Sequence, residues 1–181
     1  MLEFKLKAPK LTIFNTKKSV GTLDTLGRIY MDRVLLKEQN EIQKLAPTGD
    51  TGLLRASIST KLQRSVGFLT GTVFIEATKG VGSYAAVMEF GRRKGKKQPP
   101  SKVFFGWLRN TTQGREFFAD LKSTYKKITI PQAAFILARS IKKKGIKGKH
   151  YFKNGLKEAK PSVKHILKQY KKAIAKKLYA G

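Results

Sequence analysis

The chain has 181 residues, of which 39 are Lys or Arg and 11 are Asp or Glu, so its formal net charge is +28. So large an excess indicates an anionic partner. The absence of cysteine excludes a disulfide framework and a thiolate metal site, and no apolar run approaches the ~20 residues that a membrane-spanning helix needs.

Residues 1–21 interleave basic and apolar side chains without a continuous apolar core, which predicts a polar N-terminal arm and no secretory signal peptide. The remaining residues, 22–181, are few enough for a single domain. Apolar residues recur at helical spacing from Leu23 to Leu45. They predict a long amphipathic helix with Thr22 or Asp24 as its N-cap and Pro47 after its end.

The next segment predicts a turn followed by a β-hairpin. Gly49 and Gly52 in TGDTG permit backbone angles that other residues avoid. Residues 58–66 and 68–77 are enriched in β-branched and aromatic residues, as strands are, with Gly67 near their junction. Residues 83–91, SYAAVMEFG, predict a short helix with an apolar side that packs on this sheet.

The second half of the chain predicts an exposed basic loop and three helices. Residues 91–98 hold five cations between glycines, ahead of Pro99 and Pro100. A short helix is expected after Pro100, interrupted at residues 110–114. A capping box at Thr129 and Gln132 predicts a helix that runs to Lys144, and Pro161 is expected to open the last helix, with lysines off its apolar stripe.

Four strings occur in an order that is characteristic of one family: APTGDTGLLRASI (residues 46–58), YAAVMEFG (84–91), a Pro-Pro pair followed by Trp-Leu (99–108), and FILARSI leading to GIKGKHYF (135–152). Together they resemble the tail-completion and head-to-tail joining proteins of the neck of long-tailed bacteriophages. Two departures concern local loops: Arg92 follows Gly91 where the family commonly has Thr, and His150-Tyr151 replaces the usual Pro before the downstream Phe.

The resemblance implies an α+β fold, in which an antiparallel sheet is flanked by a long N-terminal helix and basic C-terminal helices. It implies a structural virion protein at the head–tail interface, assembled in the host cytoplasm as a homo-oligomeric ring, with sixfold symmetry favoured. Other neck, connector and tail-tube proteins would be its partners. In that interpretation Gly49, Gly52 and Gly91 shape the backbone, Tyr84 and Phe90 anchor the short helix on the sheet, and Glu89 makes an intersubunit or capping contact.

The charge adds an expectation that the resemblance does not supply. From Leu121 to the end, 18 Lys and Arg accompany a single acid, Glu158. We expect one of two basic segments to meet packaged double-stranded DNA or an acidic connector surface, through contacts that need no base recognition. The candidate residues are Arg92, Arg93, Lys94, Lys96 and Lys97 in the loop, and Lys164, Lys168, Lys171, Lys172 and Lys176 in the last helix.

Other functions remain open at this point. A standalone, non-specific nucleic-acid-binding protein explains the charge but not the ordered strings, and a connector adaptor or a tail terminator is a neighbouring role. The basic last helix could instead lie on an anionic membrane, although a core or subunit contact explains its apolar stripe more simply. With two histidines, scattered acids and no nucleophile motif, we expect no catalytic site, metal or cofactor.

Overall fold

The computed structural model describes residues 3–6, 17–49, 51–65, 68–76 and 81–179. Mixed helices and antiparallel strands confirm the predicted α+β class. The chain groups into two compact units: unit 1 contains Met1–Ala46, Arg55–Gly82 and Tyr151–Gly181, and unit 2 contains Pro47–Leu54 and Ser83–His150. The prediction of a single domain over residues 22–181 stays a prediction.

Unit 1 contains a three-stranded antiparallel sheet in the order β1-β3-β2. The strands are β1 (Glu3–Leu6), β2 (Ile58–Ser65) and β3 (Phe68–Ile75). The hairpin pairs Ile58 with Ile75 and Ser65 with Phe68, as the sequence predicted; Gly67, its expected junction, and Ala77 lie outside the described residues. Strand β3 is central because its residues are the apolar and β-branched ones that fit a sheet paired on both edges.

Two long helices complete unit 1, α1 (Lys17–Leu45) and α7 (Tyr151–Tyr179). A Cβ atom at Gly155 would lie 2.6 Å from Ile42 Cα, and one at Gly27 would lie 3.3 Å from the Tyr170 hydroxyl. Since the C-terminal part of α1 meets the N-terminal part of α7, the two helices run antiparallel. Close backbone approach at Gly155 explains how a glycine is kept in a helix whose interior it weakens by about 1 kcal/mol.

Both of these helices begin earlier than the sequence predicted. Helix α1 starts at Lys17, before Thr22 and Asp24, because Gly21 is tolerated inside a helix. The predicted N-terminal arm therefore contains β1 and the first residues of α1, while residues 1–2 and 7–16 lie outside the described residues. Helix α7 starts at Tyr151 and contains Pro161 in its interior, so the prediction that Pro161 opens it was wrong.

Unit 2 is built around a cluster of aromatic and small residues. A 3-10 turn (Ser101–Phe104) leads into α4 (Phe105–Asn110), α5 (Thr112–Thr124) and α6 (Ile130–Lys144). Leu108, Ala133 and Ala134 are buried at the centre, and eight further apolar residues pack against them: Phe104, Phe105, Trp107, Phe117, Phe118, Leu121, Ile128 and Ile130. This cluster fixes the position of α6, whose C-terminal end bears three lysines.

The capping signals decide where these helices begin. The Thr129 amide donates to Gln132 Oε1 at 2.8 Å, as the predicted capping box requires, and α6 begins at Ile130. The predicted interruption at 110–114 was too long, because Thr111 caps α5 by accepting a hydrogen bond from the Gly114 amide at 2.9 Å. Two short helices flank the hairpin in sequence, α2 (Leu53–Ala56) before β2 and α3 (Val81–Phe90) after β3.

Candidate nucleic-acid interface

Two of the four strings, the second and the fourth, meet in a small antiparallel pair within unit 2. Strand β4 (Gly91–Arg92) pairs with β5 (Ile146–Lys147), with Gly91 opposite Lys147 and Arg92 opposite Ile146. The ladder continues into α3, since the Lys149 amide donates to Met88 O at 2.8 Å and the His150 amide donates to Glu89 O at 3.2 Å. These bonds use carbonyls of the last helical turn, which have no partner within a helix.

Glycine is required at this pair because the two backbones approach too closely for a side chain. A Cβ at Gly91 would lie 2.5 Å from Ile146 O, and one at Gly148 would lie 2.6 Å from Glu89 O. Gly145, which ends α6, would place a Cβ 2.3 Å from Arg92 O. Gly91 and Gly145 also have φ angles of 79° and 76°, which L side chains rarely adopt.

Two hydrogen bonds hold the basic loop that follows β4, one from its middle to α6 and one across the loop. The Gly95 amide donates to Lys142 O at 2.8 Å, which fastens the loop to the last turn of α6. The Arg92 guanidinium donates to Lys97 O across the loop. Arg93, Lys94, Lys96 and Lys97 are exposed as predicted, whereas Gly91 and Arg92 are half-buried in the strand pair. Arg92 therefore shapes the loop, and its role as a contact residue stays a prediction.

Hydrogen bonding thus brings together two basic segments that lie about 50 residues apart in sequence. We call their exposed cations the basic bridge; its members are Arg93, Lys94, Lys96, Lys97, Lys142, Lys143, Lys144, Lys147 and Lys149. Neither segment, 91–98 or 142–149, contains an acidic residue. The three lysines at the end of α6 interact favourably with the helix dipole, but the others have no such explanation, and their crowding favours an anionic partner.

The TG-rich turn confirms the predicted backbone role of its glycines. Gly49 and Gly52 have φ angles of 60° and 67°, and the Gly52 amide donates to Thr48 O at 2.9 Å; Asp50 lies outside the described residues. A Cβ at Gly49 would lie 3.5 Å from the Tyr84 hydroxyl. Tyr84 is 39% exposed, and partial burial raises the pKa of its phenol.

The prediction that Phe90 anchors α3 was wrong, because Phe90 is 57% exposed. Glu89 is 3% exposed, so its side chain is inaccessible to a second subunit; the capping contact predicted for Glu89 stays a prediction. Ala85, one helical turn before Glu89, is also buried. The buried side of α3 therefore passes through Ala85 and Glu89, and the apolar pattern of the sequence could not reveal that a carboxylate is on it.

The lysines predicted on the last helix are exposed. Their apolar neighbours Val163, Ile166, Leu167, Tyr170 and Ile174 are half-buried, and the lysines concerned are Lys164, Lys168, Lys171, Lys172 and Lys176. Because α7 begins at Tyr151, its exposed lysines extend further towards the N-terminus, to Lys153, Lys157 and Lys160. Sequence reasoning missed these three because it placed the helix start at Pro161.

The described residues contain no group of three or more His, Asp or Glu side chains that could hold a metal ion. An open hollow of about 460 Å³ in unit 1 is lined by Lys37, Lys44 and Arg55 among others, but these cations already have partners: both lysines bond Glu41, and Arg55 donates to Ala46 O at 2.8 Å.

One ionisable group of unit 1 is strongly perturbed. Glu38 lies on the buried face of α1 with Val34, Leu35 and Ile42 and is 5% exposed. Burial raises its pKa from 4.5 to about 7, since desolvation disfavours the charged carboxylate. It is an isolated carboxyl on the core side of a helix, so we expect its charge to affect the stability of unit 1.

Comparison of the chain with family models, with curated proteins and with solved structures finds no significant match. No helix within the described ranges is long and apolar enough to cross a membrane. The ordered strings, the basic bridge and the lysines of α7 are therefore the features of the chain that bear on its function.

Proposed function

We propose that this protein is a structural component of the neck of a long-tailed bacteriophage, where it completes the tail or connector and joins it to the DNA-filled head. Subunits would form a ring, with six copies favoured, around the passage for the genome. No bond is made or broken in this role. The protein would act in the virion after assembly in the host cytoplasm, through contacts with other neck, connector and tail-tube proteins.

The observation that carries this proposal is the pairing of the matched strings with each other. Gly91 of the second string pairs with Lys147 of the fourth in β4 and β5, and beside this pair the Lys149 amide bonds Met88 O. The first string contacts the second, since the Tyr84 hydroxyl approaches Gly49. Short strings that matched by coincidence would have no reason to build a common element, whereas the strings of a shared fold would.

The basic bridge connects this element to a partner. It displays cations from loop 91–98 and from the end of α6. Backbone hydrogen bonds join these two segments, and glycines permit their close approach. Such a surface can contact phosphates of packaged DNA or an acidic surface of the connector without reading sequence. A connector adaptor or a tail terminator would use the same kind of surface, and we place the chain in the joining role because of the order of its strings.

A charge-reversal variant tests the role of the bridge. Replacement of Arg93, Lys94, Lys96 and Lys97 by Glu spares Arg92, which bonds Lys97 O through its guanidinium. We expect particles complemented with this variant to accumulate filled heads and free tails, while circular dichroism shows a folded protein. The matched control replaces four exposed cations elsewhere in unit 2, Lys102, Arg115, Lys126 and Lys127, by Glu.

The control should leave joining intact, since it changes the net charge equally but outside the bridge. Normal virions from the bridge variant would contradict a role for this surface. Equal defects in both variants would attribute the effect to net charge alone.

A standalone nucleic-acid-binding protein is the second candidate, favoured by the charge of +28. It predicts that the chain has no effect on virion morphology and that its isolated form binds nucleic acid with a steep dependence on salt.

A further inference from the structure

Six exposed lysines lie in a line on one side of α7. Their successive spacings are four, three, four, four and three residues, which average to one helical turn. We call this line the lysine stripe; its members are Lys153, Lys157, Lys160, Lys164, Lys168 and Lys171. Lys172 and Lys176, which the sequence analysis grouped with them, lie to one side of the line.

Helix geometry makes the stripe regular. At about 100° per residue the six lysines fall within an arc of about 80°, and at 1.5 Å per residue they extend over about 27 Å, or roughly 5–6 Å from one to the next. The single acid of α7, Glu158, lies about 120° around the helix from the centre of this arc. Positive charge therefore continues along five turns without an acid in the line.

Such a line is unfavourable for the helix by itself. Like charges three or four residues apart on a helix repel each other, and here every neighbouring pair in the stripe does so. A solvated helix face usually alternates the two signs of charge, as α1 does where Lys37 and Lys44 pair with Glu41. Lys153 has a partner within the chain, so the contrast concerns the five lysines from Lys157 to Lys171, and it indicates that they are arranged for an anion from outside the chain.

The packing of α7 argues against a membrane as this anion. A helix lying on a membrane inserts its apolar side into the lipid, but the apolar side of α7 is used within unit 1. The Tyr170 ring lies 5.2 Å from the Tyr30 ring, and Gly155 packs directly on Ile42. The apolar residues are therefore unavailable for insertion.

The composition of the stripe argues against a protein partner. Stable protein interfaces depend on a few buried aromatic or apolar anchors. From Lys153 to Lys171 the arc of the stripe contains only lysines, with no aromatic or large apolar side chain among them. The partner that fits is a long, regular and strongly charged polyanion that is held by phosphate contacts alone.

We propose that the lysine stripe binds the phosphate backbone of double-stranded DNA, with α7 lying along the duplex and no base being read. Duplex DNA carries one negative charge per about 1.7 Å of its axis, counted over both strands, so the stripe would lie in a dense negative field along its length. This inference deepens the proposed function, because it names duplex DNA as the partner of one particular surface, the one in unit 1.

The test measures binding of the purified full chain to a fluorescent mixed-sequence duplex over a range of salt concentrations. Replacing Lys157, Lys160, Lys164 and Lys168 by Gln should make the slope of log K against log salt shallower by about 3–4, because each phosphate contact contributes about 0.9. The matched control, Lys102, Arg115, Lys126 and Lys127 replaced by Gln, has the same net charge and should change the slope by less than about 1.

Replacement of the same four stripe residues by Arg keeps the charge and should keep the slope, which separates loss of contact from damage to α7. Equal slope changes in the Gln variant and its control would overturn the proposal. Stripe-dependent binding that is equally strong to polyglutamate, or stronger to vesicles containing phosphatidylserine, would overturn the choice of duplex DNA.

These results are independent of the joining role. Normal virions without the chain would reject the neck proposal and leave the slopes unchanged. Equal slope changes in the Gln variant and its control would reject DNA binding by the stripe and would not affect the neck proposal.

Discussion

The two units present positive charge by different means. Unit 1 places lysines on the outer face of a long helix, where helical periodicity orders them and side-chain packing on α1 supports them. Unit 2 places its cations on a short loop and a helix end, which backbone hydrogen bonds and glycines hold together. The first arrangement tolerates side-chain changes on its surface, whereas the second depends on the absence of side chains at a few positions.

The largest expected effect comes from adding a methyl group at the strand pair of unit 2. In Gly91→Ala the Cβ would meet Ile146 O at 2.5 Å and Gly148 N at 2.6 Å, and the residue has a φ of +79°. We expect a loss of about 3 kcal/mol or more in the free energy of unfolding, because steric conflict with backbone adds to the cost of the angle. Denaturant titration measures it.

The control for this change is Gly95→Ala. Gly95 has a φ of +80°, but nothing lies within 4 Å of its Cβ position, so only the conformational cost of about 1–2 kcal/mol is expected. Equal losses at the two positions would show that backbone angle alone, and not close approach of the strands, makes the bridge depend on glycine.

A smaller effect is expected from the buried carboxyl of unit 1. Because the folded-state pKa of Glu38 is raised from 4.5 to about 7, the folded state binds its proton more tightly than the unfolded chain does. Below pH 4.5 the carboxyl is protonated in both states and does not change the free energy of unfolding with pH. Its ionisation lowers the free energy of unfolding as the pH rises from about 4.5 to about 7, and the loss is complete above pH 7. Glu38→Gln should raise the free energy of unfolding at pH 8 by about 1–3 kcal/mol.

The informative quantity is the difference in stability between the parent chain and Glu38→Gln as a function of pH. Glu41→Gln serves as a control, because Lys37 and Lys44 lower the pKa of the Glu41 carboxyl. This substitution should therefore leave in place the decline in the free energy of unfolding between pH 4.5 and 7. A difference for Glu38→Gln that stays constant with pH would contradict an abnormal titration of Glu38 in unit 1.

The smallest effect is expected at the start of α6. Gln132→Ala removes the acceptor for the Thr129 amide and should lower the free energy of unfolding by about 0.5–1 kcal/mol, as loss of a helix cap does. Gln113→Ala, at an exposed position near the start of α5, should change it by less than about 0.5 kcal/mol. Thermal melts of both variants would show whether α6, which displays three cations of the bridge, depends on its cap.

The contrast between the units also explains which features the sequence could predict. The hairpin of Ile58 to Ile75 and the helix after Thr129 have strong local signals, namely β-branched periodicity and a capping box. The exposed lysines of α7 follow from its amphipathic pattern. The interior position of Pro161 does not, because the proline penalty of about 3 kcal/mol is outweighed by packing of α7 on α1, which is a tertiary property.

The candidate site was predictable only in pieces. Both basic segments are evident in the sequence, but β4 and β5 have two residues each, too few for any periodicity to indicate that they pair. The close approach of Gly148 to Glu89 O and the bond from Gly95 to Lys142 O are equally non-local. The burial of Glu89 and the exposure of Phe90 reverse the usual preferences of these residue types, so composition favoured the wrong assignment for both.

The most direct test of the joining role is negative-stain microscopy of particles formed when this one gene product is withheld from an otherwise complete phage infection. The neck proposal predicts DNA-filled heads beside separate, full-length tails, with joined virions restored when the chain is supplied. Normal joined virions in its absence would contradict the proposal and make the standalone nucleic-acid-binding protein the better account of the charge.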